Sequence, residues 1–276
     1  MLNQEKIKEL QLKAKEVRRT IIKTLVSAGS GHTAGSLGMA DVFTAFYFYI
    51  LNHDSKNPLW PERDRLILSN GHIVPARYSA MAHAGYFSVD DVENNLRKFG
   101  SKFQGHPDRV FLPEMETTSG PLGCGLGQAC GIALGAKMDK KNFAVFCIMS
   151  DAEHQEGNLW ESVMFASKYK LNNLIGVIDR NRIQISGDTE DVMPLEPLYQ
   201  KYEAFGWNAV KVDGNDIAEF IEAVEMAKQQ KEKPTVIIAN VVPGKGVRSI
   251  EGDYKWHGII PNKEQGERFL SELSLS

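Results

Sequence analysis

A parallel β-sheet with helices packed on both faces, the α/β class, is the architecture this chain predicts. Short apolar runs bounded by polar turns alternate with stretches of helical periodicity along its whole length. Several of the runs, such as Ala144-Val145-Phe146-Cys147-Ile148-Met149, are apolar at every position, the pattern of a strand buried on both sides. No repeat, low-complexity stretch or linker interrupts the 276 residues, so residues 1–276 read as one domain.

The elements follow in order. In residues 3–28, Ile7, Leu10, Ala14, Val17, Ile21 and Leu25 recur at three- and four-residue steps, which predicts an amphipathic helix stopped by Gly29-Ser30-Gly31. Ala40 to Ile50 is apolar almost all round and reads as a buried helix. Strands are predicted at Arg65–Ser69, Phe143–Ser150, Leu174–Asp179, Ala209–Asp213 and Thr235–Val242. Helices are predicted between them at Pro75–Ala84, Leu126–Met138, Leu159–Tyr169 and Asp216–Gln229. The glycine-rich segment 100–127 is long for a connector, and loops of that length are usually functional.

Composition narrows the function. A net charge of −3, with Lys and Arg spread along the chain, offers no basic face for nucleic acid or an anionic membrane. The first six residues are too charged for a secretory signal, and the most apolar stretch, Val42 to Leu51, is far shorter than a membrane span. Cys124, Cys130 and Cys147 form neither a disulfide framework nor a paired metal spacing. A cytoplasmic protein with reduced thiols is expected.

In open α/β sheets, ligands sit beyond the carboxyl ends of the strands. Two strand ends here carry unusual polar groups: Asp151-Ala152-Glu153-His154-Gln155-Glu156-Gly157 after one, Asp179-Arg180-Asn181-Arg182-Ile183 after the next. An acid and an amide on neighbouring strand ends can share a hard, oxygen-ligated cation, leaving further positions for phosphate oxygens and water. Asp and Asn are also the commonest turn and cap residues, so this geometry by itself leaves both readings open. Two other patterns lack their structural context. Gly29-Ser30-Gly31-His32-Thr33-Ala34 fits a dinucleotide fingerprint as a string but follows a helix, and Gly244-Lys245-Gly246 lacks the P-loop spacing.

The thirty-residue separation of Asp151 and Asn181, spanning one strand-to-helix-to-strand passage, resembles the thiamine-diphosphate motif of the transketolase family. The family's flanking glycines are Ser150 and Ala152 here. Further blocks occur in family order: Ser30-Gly31-His32 with Gly35-Ser36-Leu37-Gly38, Arg63 to His72, Gly105-His106-Pro107, Gly120-Pro121-Leu122-Gly123, Lys170 to Ile175, and Gly244-Lys245-Gly246 before Trp256-His257-Gly258.

The resemblance implies Asp151, the Asn181 amide oxygen and the Ile183 carbonyl as ligands of Mg²⁺ or Ca²⁺. It implies His72, Gly120, Leu122, Ala152, Glu156 and His257 about thiamine diphosphate. It implies His32, His72, His106 and His257 around the thiazolium and the sugar. His53, His83 and His154 are read as structural. Zinc is disfavoured, because no pair has the spacing of a helix-borne zinc motif. Glu156 and Glu161 match acids near the family's subunit interface, though acids at a helix start are also ordinary dipole partners.

The reaction implied is transfer of a two-carbon ketol unit from a ketose to an aldose, either or both phosphorylated. In the family, the glutamate that activates the cofactor comes from a second domain, and this sequence ends about nineteen residues past His257. The expectation is therefore a split enzyme, in which a C-terminal subunit supplies that glutamate and two copies of each chain meet at a dimer interface. The rival expectations are a component of a 2-oxoacid dehydrogenase or deoxyxylulose-phosphate synthase, and a non-catalytic regulatory homologue.

Overall fold

The computed structural model describes residues 2–275. Five strands form one all-parallel sheet: β1 (Arg65–Leu68), β2 (Val145–Ser150), β3 (Leu174–Arg180), β6 (Asn208–Asp213) and β7 (Thr235–Asn240), in the order β1-β2-β3-β7-β6. Each predicted strand is present within about two residues of its expected ends. A separate two-residue hairpin, β4 (Ile183–Gln184) with β5 (Gly187–Asp188), follows β3.

The alternation of side chains sorts the core into two halves. Phe146, Ile148, Ile175, Val177, Ile237 and Ala239 point to one face. That face is covered by α1 (Gln4–Ala28), α3 (Ala40–Ala45), α4 (Val74–His83) and α10 (Ile217–Lys228). Val145, Cys147, Met149, Leu174, Ile178 and Val236 point to the other. There they meet α6 (Cys124–Met138), α7 (Gly157–Lys168) and α9 (Leu198–Ala204). The continuous apolar runs follow from this, since both faces of every central strand are dry.

Helix α1 starts where the Asn3 side chain accepts the Lys6 N–H at 2.8 Å, and stops at Gly29, whose φ of 67° only glycine adopts readily. Its stripe of Leu10, Ala14, Val17, Ile21 and Leu25 is fully buried. The predicted helix over 40–50 is not uniform. After Ala45 the chain widens, and the Leu51 N–H donates five residues back to Phe46 at 2.9 Å. This wider turn sets the Phe46 ring against Phe146 and Phe220, at centroid distances of 5.1 and 5.6 Å.

Five further helical pieces were not predicted: α2 (Ala34–Gly38), α5 (Val89–Asn95), α8 (Thr189–Val192), α9 and α11 (Lys263–Leu275). Among the described residues, no helix is long and apolar enough to cross a membrane.

Candidate functional site

All the polar strand ends fall on one rim, because the strands are parallel. Register pairs Ser150 with Asp179, so Asp151 and Asn181 leave β2 and β3 side by side. The Asp151 carboxylate is buried. It accepts the Ala152 N–H on Oδ1 at 2.7 Å, and on Oδ2 the Arg180 guanidinium and the Arg182 N–H, both at 2.8 Å. Burial pushes this carboxyl up, and Arg180 with the backbone donors works against that. Asn181 Oδ1 accepts the Ile183 N–H at 3.0 Å. Both residues thus do the turn and capping work open to them. Asp151 Oδ1 and Asn181 Oδ1 each carry one hydrogen bond, which leaves each a lone pair for a cation. Among the described residues, no three His, Cys, Asp or Glu side chains are grouped to hold a metal, so a cation here would rely on amide and carbonyl oxygens as well.

Ala152 opens a short helical turn (Ala152–Gln155) and is not among the residues of positive φ, so its methyl strains nothing in the backbone. Glu153, in the same turn, is fully buried under the rim. Its carboxyl is pushed up to about 8 by burial, against hydrogen bonds from Ser69, Ser150 and the Gly123 N–H.

Three of the predicted histidines meet on this rim. The His32 and His72 rings lie 4.9 Å apart, His32 and His257 5.6 Å, and His72 and His257 5.3 Å. They come from the loop after α1, the end of β1 and the segment after β7. The Thr33 hydroxyl donates to the Ile259 carbonyl at 2.6 Å and the Gly244 N–H to the Ala34 carbonyl at 2.8 Å, which ties two of these loops together. His106 closes the group. A Cβ on Gly71 would lie 3.3 Å from its ring and one on Gly120, whose φ is 146°, 3.7 Å from its Cβ.

Burial lowers all four imidazoles from the ordinary histidine value, which favours their neutral form. It holds His32 down to about 4, helped by His257, Arg97 and His106; it holds His72 well below its ordinary value and lowers His257. His106 is lowered by burial and then by Arg97.

The loop 119–123 joins the histidines to the Asp151 side. Ser119 and Gly120 face Gly71, while a Cβ on Gly123 would come within 2.7 Å of Glu156 Cβ. Leu122 is half-buried on that loop, and Glu156 and Glu161 are exposed on and before α7. His32 Nδ1, both amide atoms of Asn70 and the Ser119 hydroxyl are buried with no protein partner. Orphaned polar atoms on a glycine-lined rim are what a polar ligand would satisfy.

The histidines read as structural are hydrogen-bonded within the fold. His154 bonds the Ser150 and Asp151 carbonyls and the Tyr202 hydroxyl, His53 the Tyr47 carbonyl and the Tyr86 hydroxyl, and His83 the Thr20 hydroxyl. Sequence reasoning missed Arg180, Glu153, Asn70 and Arg97. A charged residue inside an apolar strand, as at Arg180, was the one signal available. A depression of about 710 Å³ lies on the opposite rim, and three of the four lysines lining it are engaged: Lys137 with the Lys170 carbonyl, Lys141 with Glu62, and Lys228 with the Ile50 carbonyl.

A doubly covered parallel sheet with a histidine cleft beside an Asp–Asn pair at its carboxyl rim defines an α/β domain whose polar groups stand where such sheets bind ligands. Comparison with known proteins gives the family. Residues 10–269 match the family model described as "Transketolase, thiamine diphosphate binding domain", and the chain belongs to the transketolase family.

It is 38% identical to the 6-deoxy-6-sulfo-D-fructose transketolase subunit SqwG of Clostridium sp. (strain MSTE9), over 96% of each chain. It is 37% identical to an apulose-4-phosphate transketolase subunit of Phocaeicola vulgatus, over 97% of this chain and 95% of that one. Human transketolase is 37% identical over 98% of this chain but 43% of its own length. Transketolase from Leishmania mexicana superposes with a TM-score of 0.89 at 29% identity, over 96% of this chain and 41% of that one. The chain thus spans about two-fifths of these full-length transketolases and nearly all of the separate subunits.

Proposed function

We propose that this chain is the thiamine diphosphate-binding subunit of a two-chain transketolase that moves a two-carbon ketol unit from a ketose to an aldose, one or both phosphorylated. The observation that carries the reading is the neutral four-histidine cleft on the same rim as Asp151 and Asn181. When bound, thiamine diphosphate supplies the carbanion chemistry. Asp151, the Asn181 amide oxygen and the Ile183 carbonyl would hold the Mg²⁺ or Ca²⁺ that accompanies it. Gly120, Leu122, Ala152 and Glu156 border the cofactor.

His32, His72, His106 and His257, kept unprotonated, offer hydrogen bonds to the hydroxyls of the sugar and to charge that develops on its carbonyl oxygen. The glutamate that activates the cofactor comes from a C-terminal partner subunit. The chains with which this one shares most of its length are themselves called transketolase subunits, which supports that division. Self-association is supported by α6 and α7, where Phe165 lines a shallow depression with Gly127 and Gly131 and where Met138, Met164 and Tyr169 are also exposed. The protein works in the cytoplasm.

Calorimetric titration with thiamine diphosphate and Mg²⁺, on this chain alone and mixed with its partner, tests the proposal. Metal-dependent binding strengthened by the partner is expected. Absence of binding in both, or ketol transfer by the purified single chain, refutes it.

A further inference from the structure

One wall of the histidine cleft holds an arginine that the rest of the site leaves unpaired. Arg97 sits in a tight turn between buried Leu96 and Phe103, and its N–H donates to the Phe103 carbonyl at 2.8 Å. Its φ is 58°, a left-handed conformation that a non-glycine residue adopts at a cost and keeps only where the surroundings impose it. The side chain is directed across Gly105. A Cβ there would run into the Arg97 Nε and lie 2.5 Å from its Cζ, so the absence of a side chain at Gly105 makes room for the guanidinium in this position.

Of five N–H donors, the guanidinium uses one, in a long 3.5 Å contact with the Gly105 carbonyl. Among the described residues, no carboxylate pairs with it. Arg18, Arg63 and Arg180, by contrast, are bound to Asp41, Glu116 and Asp151.

The charge of Arg97 reaches His32 and His106, and it is the permanent charge acting on them. The Asp151 end is served instead by Arg180 and the N–H groups of Ala152 and Arg182. The cleft therefore has neutral imidazoles suited to hydroxyls and one free planar cation beside them. Neutral imidazoles cannot balance an anion, whereas a guanidinium fork matches the oxygens of a tetrahedral oxyanion.

We propose that Arg97 is a substrate-reading residue of this chain, whose guanidinium takes the tetrahedral oxyanion carried by an anionic sugar while the histidines hold its hydroxyls. This rests on the reading of the cleft as a sugar site, and gives this chain part of the anion recognition.

Inorganic phosphate is the first probe. Titrated into the isolated chain, it shifts the His32 and His106 ring resonances in the NMR spectrum, and Arg97→Met abolishes the response. In that variant the His106 titration moves up towards the ordinary histidine value, which verifies that the cation sat beside it. In the reconstituted two-chain enzyme, the ratio of kcat/KM for a phosphorylated ketose to that for an uncharged one falls about tenfold or more in Arg97→Met, as expected for a lost charged hydrogen bond, with the loss in KM. Arg97→Lys recovers part of it.

An equal loss on charged and uncharged ketoses overturns the proposal, as does a phosphate response that survives Arg97→Met. Weakened thiamine diphosphate binding in Arg97→Met, with the sugar ratio unchanged, assigns the cation to the cofactor and also overturns it. Failure of the wild-type enzyme to bind thiamine diphosphate sinks the transketolase reading and leaves the phosphate titration to be judged separately. Thermal melts of both variants identify a merely unfolded protein, in which case Arg97→Gln takes the place of Met.

Discussion

Replacing Arg180 by Met puts the electrostatics of the carboxyl rim to a quantitative test. Its guanidinium reaches Asp151 at 2.8 Å, Glu190 at 2.7 Å and Glu196 at 3.1 Å. The side chains of Arg180 and Asp151 are only 2% and 1% exposed, whereas Glu190 is 23% and Glu196 44% exposed. The two outer pairs face water and contribute at most about 1 kcal/mol each. The inner pair dominates. Methionine keeps much of the volume but leaves the Asp151 carboxylate buried with backbone donors alone, and breaking such a pair costs roughly 3–5 kcal/mol.

At roughly 2–4 °C per kcal/mol for a chain near this size, the melting point falls by roughly 6–20 °C. The measurement is urea and thermal unfolding in the presence of a chelator, so that no bound metal takes over the charge. The double variant Asp151→Asn, Arg180→Met removes the orphaned charge and recovers at least half the loss. A single-variant cost below about 1 kcal/mol, or a double variant no better than the single, would refute this account of how the rim is held.

Two further outcomes follow from groups away from the cleft chemistry. His154 is held down to about 4 by burial among Tyr202 and the backbone, so it stays neutral in the fold, while the unfolded chain takes up a proton below about 6.5. The His154 contribution to stability therefore declines as pH drops from about 6.5 towards 4, while Glu153, pushed up to about 8, contributes with the opposite sign; the measure is the change in denaturant midpoint between pH 7.5 and 5 in the wild type set against that in His154→Gln, and an equal change in both contradicts the assignment. Of the three thiols, Cys124 is exposed while Cys130 and Cys147 are buried, with Cys130 pushed up to about 12. A native-state thiol titration should count one fast group and find the other two only after unfolding, and two or three fast groups would show the α6 layer to be open.

The sheet was legible because its signal is redundant. Each central strand is apolar on both faces, so a run like Val145 to Met149 stands out from any flanking helix. Four of the missed helices bury too little to leave a period: Val92 alone in α5, Thr189 alone in α8, Leu198 and Tyr202 in α9, and Gly266, Phe269 and Leu273 in α11; α2 is buried at all five residues and is too short to show one. In the site, glycine beside histidine marked each of the four cleft imidazoles, since close approach leaves its trace in the local sequence. Whether an arginine finds a carboxylate is settled by tertiary neighbours, so nothing in Leu96-Arg97-Lys98 told Arg97 from the paired Arg180. The same holds for Asn70 and Glu153, whose meaning lies in what surrounds them.

The parallel sheet also divides the chain's connections by purpose. The segments leaving the carboxyl ends of β1, β2, β3 and β7 carry residues of the ligand rim, while the turns at residues 139–144, 169–173 and 229–234 feed the strands from the other end. Exposed Lys140 and Lys233 sit on those feeding turns. A dye, surface anchor or affinity handle placed there stands a full sheet length from the ligand rim, so the domain can be immobilised or watched from behind while its working side stays free.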